Sequence, residues 1–329
     1  MPSAAKQSAS PQATHQAAAP QQSVALRLRT GACCLPHPGK ASYGGEDAFF
    51  VSAAGGGALG VADGVGGWAE SNVNPAAYAR SLMRVACAFV EGAGAEQLAR
   101  AAADGAKAPA ADNSLSHGSG GGGGGGGGSV GGGGRAPGAG AAVAAAGATR
   151  AAADSRGDSG FIAVRQGLVV ARSRPLQHWF DCPYQLGAFP EFVEATDTAA
   201  HADVFEVPLL PGDVVVVGKQ PQEFILCSDG LWDNAYDADI LALLPKGPRG
   251  AQAAAEAIAA MARAHSMDPE FPSPYTREAL QQGYDLSWFD KLRRAQFRDG
   301  RIRLGCLTGG KPDDVTVLVA VVEDRPAWA

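Results

Sequence analysis

The chain has 329 residues, a net charge of −6 and a pI near 5.5, values that argue against a protein whose main partner is a nucleic-acid backbone. Its length would suit about two domains, but the first two dozen residues are mostly Ala, Gln, Ser and Pro, and 104–155 is mostly Gly and Ala with an unbroken Gly120–Gly128 run, leaving roughly 250 residues for one core. No run of about eighteen apolar residues occurs, so nothing in the sequence reads as a membrane span.

Residues 1–45 carry Lys6, Arg27, Arg29 and Lys40 and no carboxylate before Glu46. That composition fits an organelle transit segment, mitochondrial or plastid, over 1–23, with a disordered tail on a cytoplasmic protein as the alternative. From Val24 the text turns globular. VALRLR alternates, and AFFVS and ALGVAD flank a small-residue turn at Ala53–Gly57, a hairpin pattern. Asn74 and Pro75 open a helix whose Tyr78, Leu82, Val85 and Phe89 recur as one apolar stripe. The pattern fades after Glu91, and the glycine tract that follows has no side chains to bury. It reads as a disordered insertion over 104–155 within a single domain spanning 24–323.

Beyond it, FIAVRQGLVVARS predicts a hairpin turning at Gln166–Gly167, and VFEVPLLPGDVVVVG and EFILCSDG read as strands. Ala251–His265 is a second, alanine-rich helix. VTVLVAVVE, near the end, is a strand apolar on both faces and therefore central. Hairpins, long helices and a return to strands predict an α+β fold, a layered β-sandwich flanked by helices.

Cys33, Cys34, Cys87, Cys182, Cys227 and Cys306 form no C-x-x-C pair and read as reduced thiols. The six histidines are dispersed, so a bound metal would be held by oxygen. The informative residues are acids placed beside glycines at strand ends. Glu46 and Asp47 open the AFFVS strand, Asp63 and Gly64 end its hairpin partner, Asp229 precedes Gly230 with Asp233 one turn on, and Asp313 and Asp314 precede the last strand. Singly, each is an ordinary turn or cap. Jointly, they predict a ring of hard oxygen ligands suited to Mg²⁺ or Mn²⁺ at one sheet edge, since such a cluster without cations would repel itself.

GEDAFFV, GVADGVGGW, DSGFIAVRQG and KPDDVTVLVA, with QHWFDCPYQLG, SDGLWDN and DPEFPSPY, resemble the motifs of the metal-dependent type 2C Ser/Thr protein phosphatases, in particular their small mitochondrial and plastid branch. The resemblance implies two Mg²⁺ or Mn²⁺ ions. Asp63 bridges them, the Gly64 carbonyl and Glu46 complete one ion, and Asp229 and Asp313 complete the other. Asp47 orients the attacking water, and Asp158 with Asp229 and Asp233 marks a third, weaker position. The substrates implied are phosphoserine and phosphothreonine in proteins, and the chain is expected to be a monomer. Many relatives place a histidine general acid two residues after the bridging aspartate, where this chain has Val65. Lys40 reads as a solvated lysine, with a phosphate contact as the alternative.

Three features compete with this reading. Gly157–Gly160 spells GDSG, as around a serine-protease nucleophile, but no suitable histidine or disulfide framework accompanies it. Gly138–Arg156 stands where relatives place two central strands, yet it is nearly all Ala and Gly, poor strand formers. Lys219–Cys227 interrupts what would otherwise read VVVVGSDGLWDN, so FILC and VVVV compete for one strand position. The alternative function is therefore a non-catalytic pseudophosphatase that binds phosphoproteins or another partner.

Overall fold

The computed structural model describes residues 26–64, 74–107, 114–116, 139–146, 151–156, 159–174, 177–179, 182–183, 203–219, 230–245, 247–298 and 301–325. In chain order the strands are β1 (Leu26–Leu35), β2 (Ala48–Ser52), β3 (Ala58–Gly64), β4 (Ser114–Ser116), β5 (Ala139–Ala146), β6 (Ala151–Arg156), β7 (Ser159–Arg165), β8 (Leu168–Arg172), β9 (Gln177–Trp179), β10 (Cys182–Pro183), β11 (Asp203–Val207), β12 (Val214–Lys219), β13 (Gln296–Arg298), β14 (Arg301–Arg303) and β15 (Val315–Asp324). The helices are α1 (Pro75–Val90), α2 (Ala95–Lys107), α3 (Asp237–Leu243), α4 (Ala251–Met267), α5 (Pro274–Gln281) and α6 (Trp288–Arg293).

Two sheets form the centre. One runs β1-β15-β12-β7-β8 and is antiparallel throughout; the other runs β11-β6-β5-β3-β2-β4, with only the β2–β4 pair parallel. Side-chain parity then sorts the core into layers, because successive residues of a strand point to opposite faces. On β15, Val315, Val317, Val319 and Val321 share a cluster with Ala254, Ala255, Ile258, Ala259 and Ala262 of α4, while Leu318, Ala320 and Val322 meet Phe49, Leu59 and Val61 of the facing sheet. The outer face of that second sheet presents Ala48, Phe50, Ala58 and Ala62 to Ala79, Met83 and Cys87 of α1. The order of layers is helix, sheet, sheet, helix. The alanines of α4 let it lie close: a Cβ added to Gly31 on β1 would fall 2.3 Å from the backbone of Gln252.

The expected hairpins form. β2 and β3 pair with Ala48 opposite Ala62, and the β7–β8 turn holds Gln166 at φ 51° and Gly167 at φ 77°. β15 has a partner on each side, as its doubly apolar sequence requires. The face expected of α1 is shifted. Its buried residues are Pro75, Ala76, Ala79, Arg80, Met83 and Cys87, whereas Phe89 is 70% exposed. The helix approaches the sheet through Ala76, Ala79, Met83 and Cys87, and the stripe of Tyr78, Leu82, Val85 and Phe89 lies to one side of that contact. α2 was not expected, since its alanine content merged with the tract that follows.

Part of 104–155 belongs to the sandwich. β5 pairs with β3 over Ala58↔Ala145 to Gly64↔Ala139 and with β6 over Ala141↔Arg156 to Ala146↔Ala151, so alanine-rich strands fill the central positions. A strand needs backbone donors and acceptors before it needs large side chains. The glycine run lies outside the described residues. VVVV, as β12, takes the position between β15 and β7; the competing FILC lies outside the described residues. A Cβ added to Gly218 would nevertheless meet Leu231 Cδ2 at 2.6 Å, so the chain is back beside the end of β12 by residue 231. Among the described residues, no helix is long and apolar enough to cross a membrane.

Candidate metal centre

Parity and register bring the carboxylates of three segments to one edge of the sandwich. The β2–β3 register runs on past Ala48↔Ala62 to set Asp47 opposite Asp63, and Gly64 N–H donates to the Glu46 carbonyl at 3.1 Å. Asp313 and Asp314 stand at the entrance to β15 in the other sheet. The two sheets are tied there by Thr316, whose hydroxyl donates to Asp47 Oδ2 at 2.6 Å. Thr316 has the parity of Leu318 and Ala320, which face the neighbouring sheet, so its side chain reaches across the gap between layers.

Asp314 fastens the loop that carries Glu46. Its Oδ2 accepts from Glu46 N–H at 2.8 Å and its Oδ1 from His37 N–H at 2.6 Å. Gly45 permits this. It sits at φ +81°, and a Cβ there would fall 2.6 Å from Asp314 Oδ1. Gly64 is equally constrained, since its Cβ would meet the Pro75 carbonyl at 2.4 Å, in the first turn of α1, where Asn74 accepts from Ala77 N–H. Gly230 packs against β15 so closely that a Cβ would lie 1.9 Å from the Asp314 carbonyl oxygen. Each glycine marks a place where backbone approaches backbone or carboxylate.

Asp233 joins the same edge through Asn234. The Asn234 amide donates to the Gly230 and Lys311 carbonyls at 3.1 and 2.9 Å and accepts from Lys311 N–H at 2.8 Å, and Lys311 Nζ lies 3.2 Å from Asp233 Oδ2. Lys40 is not the solvated lysine the sequence suggested. Its Nζ lies 2.5 Å from Glu46 Oε2 and 3.7 Å from both Asp313 Oδ1 and Asp314 Oδ2. Burial works against its charge, but Asp313, Asp314 and Glu46 outweigh that and raise its pKa above the ordinary lysine value. Burial and then Glu46 push the Tyr43 phenol upward as well.

Of the residues expected in the site, Glu46, Asp47, Asp63, Gly64, Asp233 and Asp313 lie along this edge, all buried; Asp158 and Asp229 lie outside the described residues. Among the described residues, no three His, Cys, Asp or Glu side chains converge as a ready-made cation cage. The donor set still fits hard divalent ions. Glu46, Asp47, Asp63, Asp233, Asp313 and Asp314 are each at most 5% exposed; Lys40 stands beside Glu46, Asp313 and Asp314, and Lys311 beside Asp233. Buried carboxylates gathered at one edge are hard oxygen donors of the kind that divalent cations take and neutralise. Sequence reasoning missed Thr316, Asn234 and the pairing of Lys40. The one available signal was Thr316, a polar residue at an inward position of an otherwise apolar strand.

No protein-family model matches the chain. Whole-chain relatives do. The probable protein phosphatase 2C 1 of Oryza sativa subsp. japonica is 35% identical over 298 residues, 90% of this chain and 76% of the relative. The probable protein phosphatase 2C 26 of Arabidopsis thaliana is 34% identical over 297 residues, 90% of this chain and 84% of the relative. Among solved structures, the photosystem II phosphatase PBCP superposes with a TM-score of 0.66 at 33% identity, covering 91% of this chain and 100% of that one. Identity above 30% across more than two thirds of these relatives, on the same fold, makes this chain a member of the protein phosphatase 2C family, the metal-dependent Ser/Thr protein phosphatases.

Proposed function

We propose that this chain hydrolyses phosphoserine and phosphothreonine in proteins at the carboxylate edge, with a pair of Mg²⁺ or Mn²⁺ ions as cofactors. The observation that carries this is the gathering of Glu46, Asp47, Asp63 and Asp313, all buried, at the meeting of two sheets. Asp63, the Gly64 carbonyl and Glu46 would hold one ion, Asp63, Asp229 and Asp313 the other, and Asp158 with Asp229 and Asp233 a third, weaker one. When bound, the ions supply Lewis acidity that activates water and offsets phosphoryl charge. Asp47, anchored by Thr316, orients the attacking water. Asp314 fixes the backbone of Glu46 and with it the reach of that side chain. Lys40 places an ammonium beside Glu46, where it can also meet a phosphoryl oxygen. With Val65 in the place of a histidine, the leaving-group proton comes from water or another side chain.

The domain assignment follows: residues 24–323 as one catalytic unit, acting as a monomer, with a Gly/Ala-rich interruption inside 104–155. An organelle location, plastid in particular, is supported by the acid-free first 45 residues and by a photosystem II phosphatase among the similar structures. Hydrolysis of p-nitrophenyl phosphate tests the chemistry. Turnover should require Mn²⁺ or Mg²⁺, stop with EDTA, and be lost in Asp63→Asn. Turnover that ignores both EDTA and Asp63→Asn refutes the metal mechanism, and none under any condition leaves the binding-module reading.

A further inference from the structure

Between Ser273, whose hydroxyl donates to the Gly309 carbonyl at 2.7 Å, and Thr308, which donates to the Pro269 carbonyl at 3.1 Å, the chain makes an excursion through α5, α6 and the β13–β14 hairpin. Its far part is unusually apolar outside. Trp288 is 63% exposed and Phe289 81%, and Tyr284, Leu292 and Leu304 are exposed too. Phe297 and Ile302 face each other across β13 and β14 at 75% and 72% exposure. No residue of α6 is buried. Soluble proteins rarely leave such a patch uncovered without a use for it.

The pattern around the patch identifies the use. At 100° per residue, Trp288, Phe289 and Leu292 fall within about a 100° arc of α6, and Lys291 and Arg293 fall on either side of that arc. From Tyr284 to Leu304 the sequence holds Lys291, Arg293, Arg294, Arg298, Arg301 and Arg303 against Asp285, Asp290 and Asp299, in a chain whose overall charge is −6. Two of those acids are occupied locally. Asp285 pairs with Lys291 at 2.6 Å and accepts from Leu286 and Leu307 N–H, and Asp290 accepts from the Ser287 hydroxyl at 2.6 Å. Exposed aromatic side chains flanked by Lys and Arg suit the boundary of an anionic bilayer, where rings enter the acyl margin and cations meet headgroups. A peptide would need a concavity to bury its anchors. Two apolar cavities lie elsewhere: one of about 530 Å³ lined by Val164, Val214, Leu241 and Val321 near the far end of β15, and one of about 750 Å³ lined by Leu243, Pro245 and Ala254.

We propose that the Trp288–Phe289–Leu292 face of α6, with Phe297 and Ile302 of the hairpin and the exposed Arg293 and Arg294 beside them, docks this protein onto an anionic lipid surface. The excursion rejoins the chain a few residues before Lys311 and Asp313. The proposal does not depend on the phosphatase reading.

Co-sedimentation of the full chain with vesicles of phosphatidylglycerol and phosphatidylcholine, against phosphatidylcholine alone, tests it. The anionic vesicles should capture the protein, less so as salt rises. Trp288→Ser with Phe289→Ser should weaken capture by about tenfold or more, and Arg293→Gln with Arg294→Gln should remove the preference for anionic lipid. Hydrolysis of p-nitrophenyl phosphate should stay unchanged in both double variants, which separates this result from any failure of the active site. Equal capture by both vesicle types, or capture unaffected by the aromatic substitutions, overturns the proposal. So does a loss of activity on a soluble acidic phosphopeptide without a change in vesicle binding, which would assign the face to protein docking.

Discussion

The Thr316 hydroxyl donates to Asp47 Oδ2 at 2.6 Å, so a residue of one sheet positions a carboxylate that leads into a strand of the other. Both groups are fully buried. Thr316→Val keeps the shape and removes the donor. It should lower kcat on p-nitrophenyl phosphate about 10- to 100-fold, the usual cost of losing a group that orients a metal-site residue. Thr316→Ser should restore most of the rate. A merely structural role would lower the melting temperature equally in Val and Ser without that split.

Gly230 predicts a packing failure. With a Cβ 1.9 Å from the Asp314 carbonyl and 2.7 Å from Val315 Cα, Gly230→Ala has to push β15 away from the 230–234 turn. Chemical denaturation should show a loss of about 2 kcal/mol or more, with activity falling in parallel. Gly247→Ala is the control. Nothing lies within 4 Å of its added methyl and its backbone is extended, so stability should move by about 0.5 kcal/mol or less.

Metal binding should be visible without turnover. If the buried carboxylates share divalent ions in the folded chain alone, Mn²⁺ at about a hundred times its dissociation constant stabilises the fold by about 2.7 kcal/mol per site. Thermal unfolding with and without Mn²⁺ should show a rise in midpoint that Asp63→Asn and Asp313→Asn each reduce.

Thiol reactivity divides by burial. Burial, then Glu91, pushes the Cys87 thiol up to about 11, and Cys33 is raised as well, whereas Cys306 is exposed. At pH 8 iodoacetamide should label Cys306 before Cys87 in the native protein, and mass spectrometry of the peptides would show it. Rapid labelling of Cys87 would contradict the packing of α1 on the second sheet.

Glu323 ties β1 to β15 through Arg27 and Arg29, each with Nε at 2.9 Å. Burial alone would raise its pKa, but Arg29 and Arg27 overcome this and hold it below the ordinary glutamate value. The stabilisation is therefore complete above the unfolded carboxyl titration, about pH 4.3, and is lost as pH falls through the lower folded value. Glu323→Gln should cost up to about 1 kcal/mol at pH 7, with the difference from wild type shrinking as acid is added below about pH 4.

The carboxylate edge was legible in the sequence because its residues do two jobs at once. Gly45, Gly64 and Gly230 had to be glycine for steric reasons beside acids that had to be acidic, and this pairing leaves a readable mark. Lys40 carried no such mark, since a lysine six residues before Glu46 looks the same in text whether it is solvated or folded back onto that side chain. Thr316 was legible in principle through the inward parity of β15. The periodicity of Tyr78, Leu82, Val85 and Phe89 marks α1 as a helix but not its buried side, because a second apolar set, Ala76, Ala79, Met83 and Cys87, recurs at the same spacing and is the one that meets the sheet.

β5 and β6 have one more consequence. Along β5 and the first half of β6, where nine of eleven positions are alanine, sliding a strand by two residues against its neighbour mostly exchanges like for like, so side chains hardly distinguish the native alignment from its nearest alternative. Val143, Asp154, Ser155 and Arg156 are among the few landmarks in that pair. Asp63 sits on the adjoining β3, opposite Gly140. Folding of the catalytic edge thus relies on the information-rich hairpin of β2 and β3 to set the frame into which a nearly featureless ribbon is threaded.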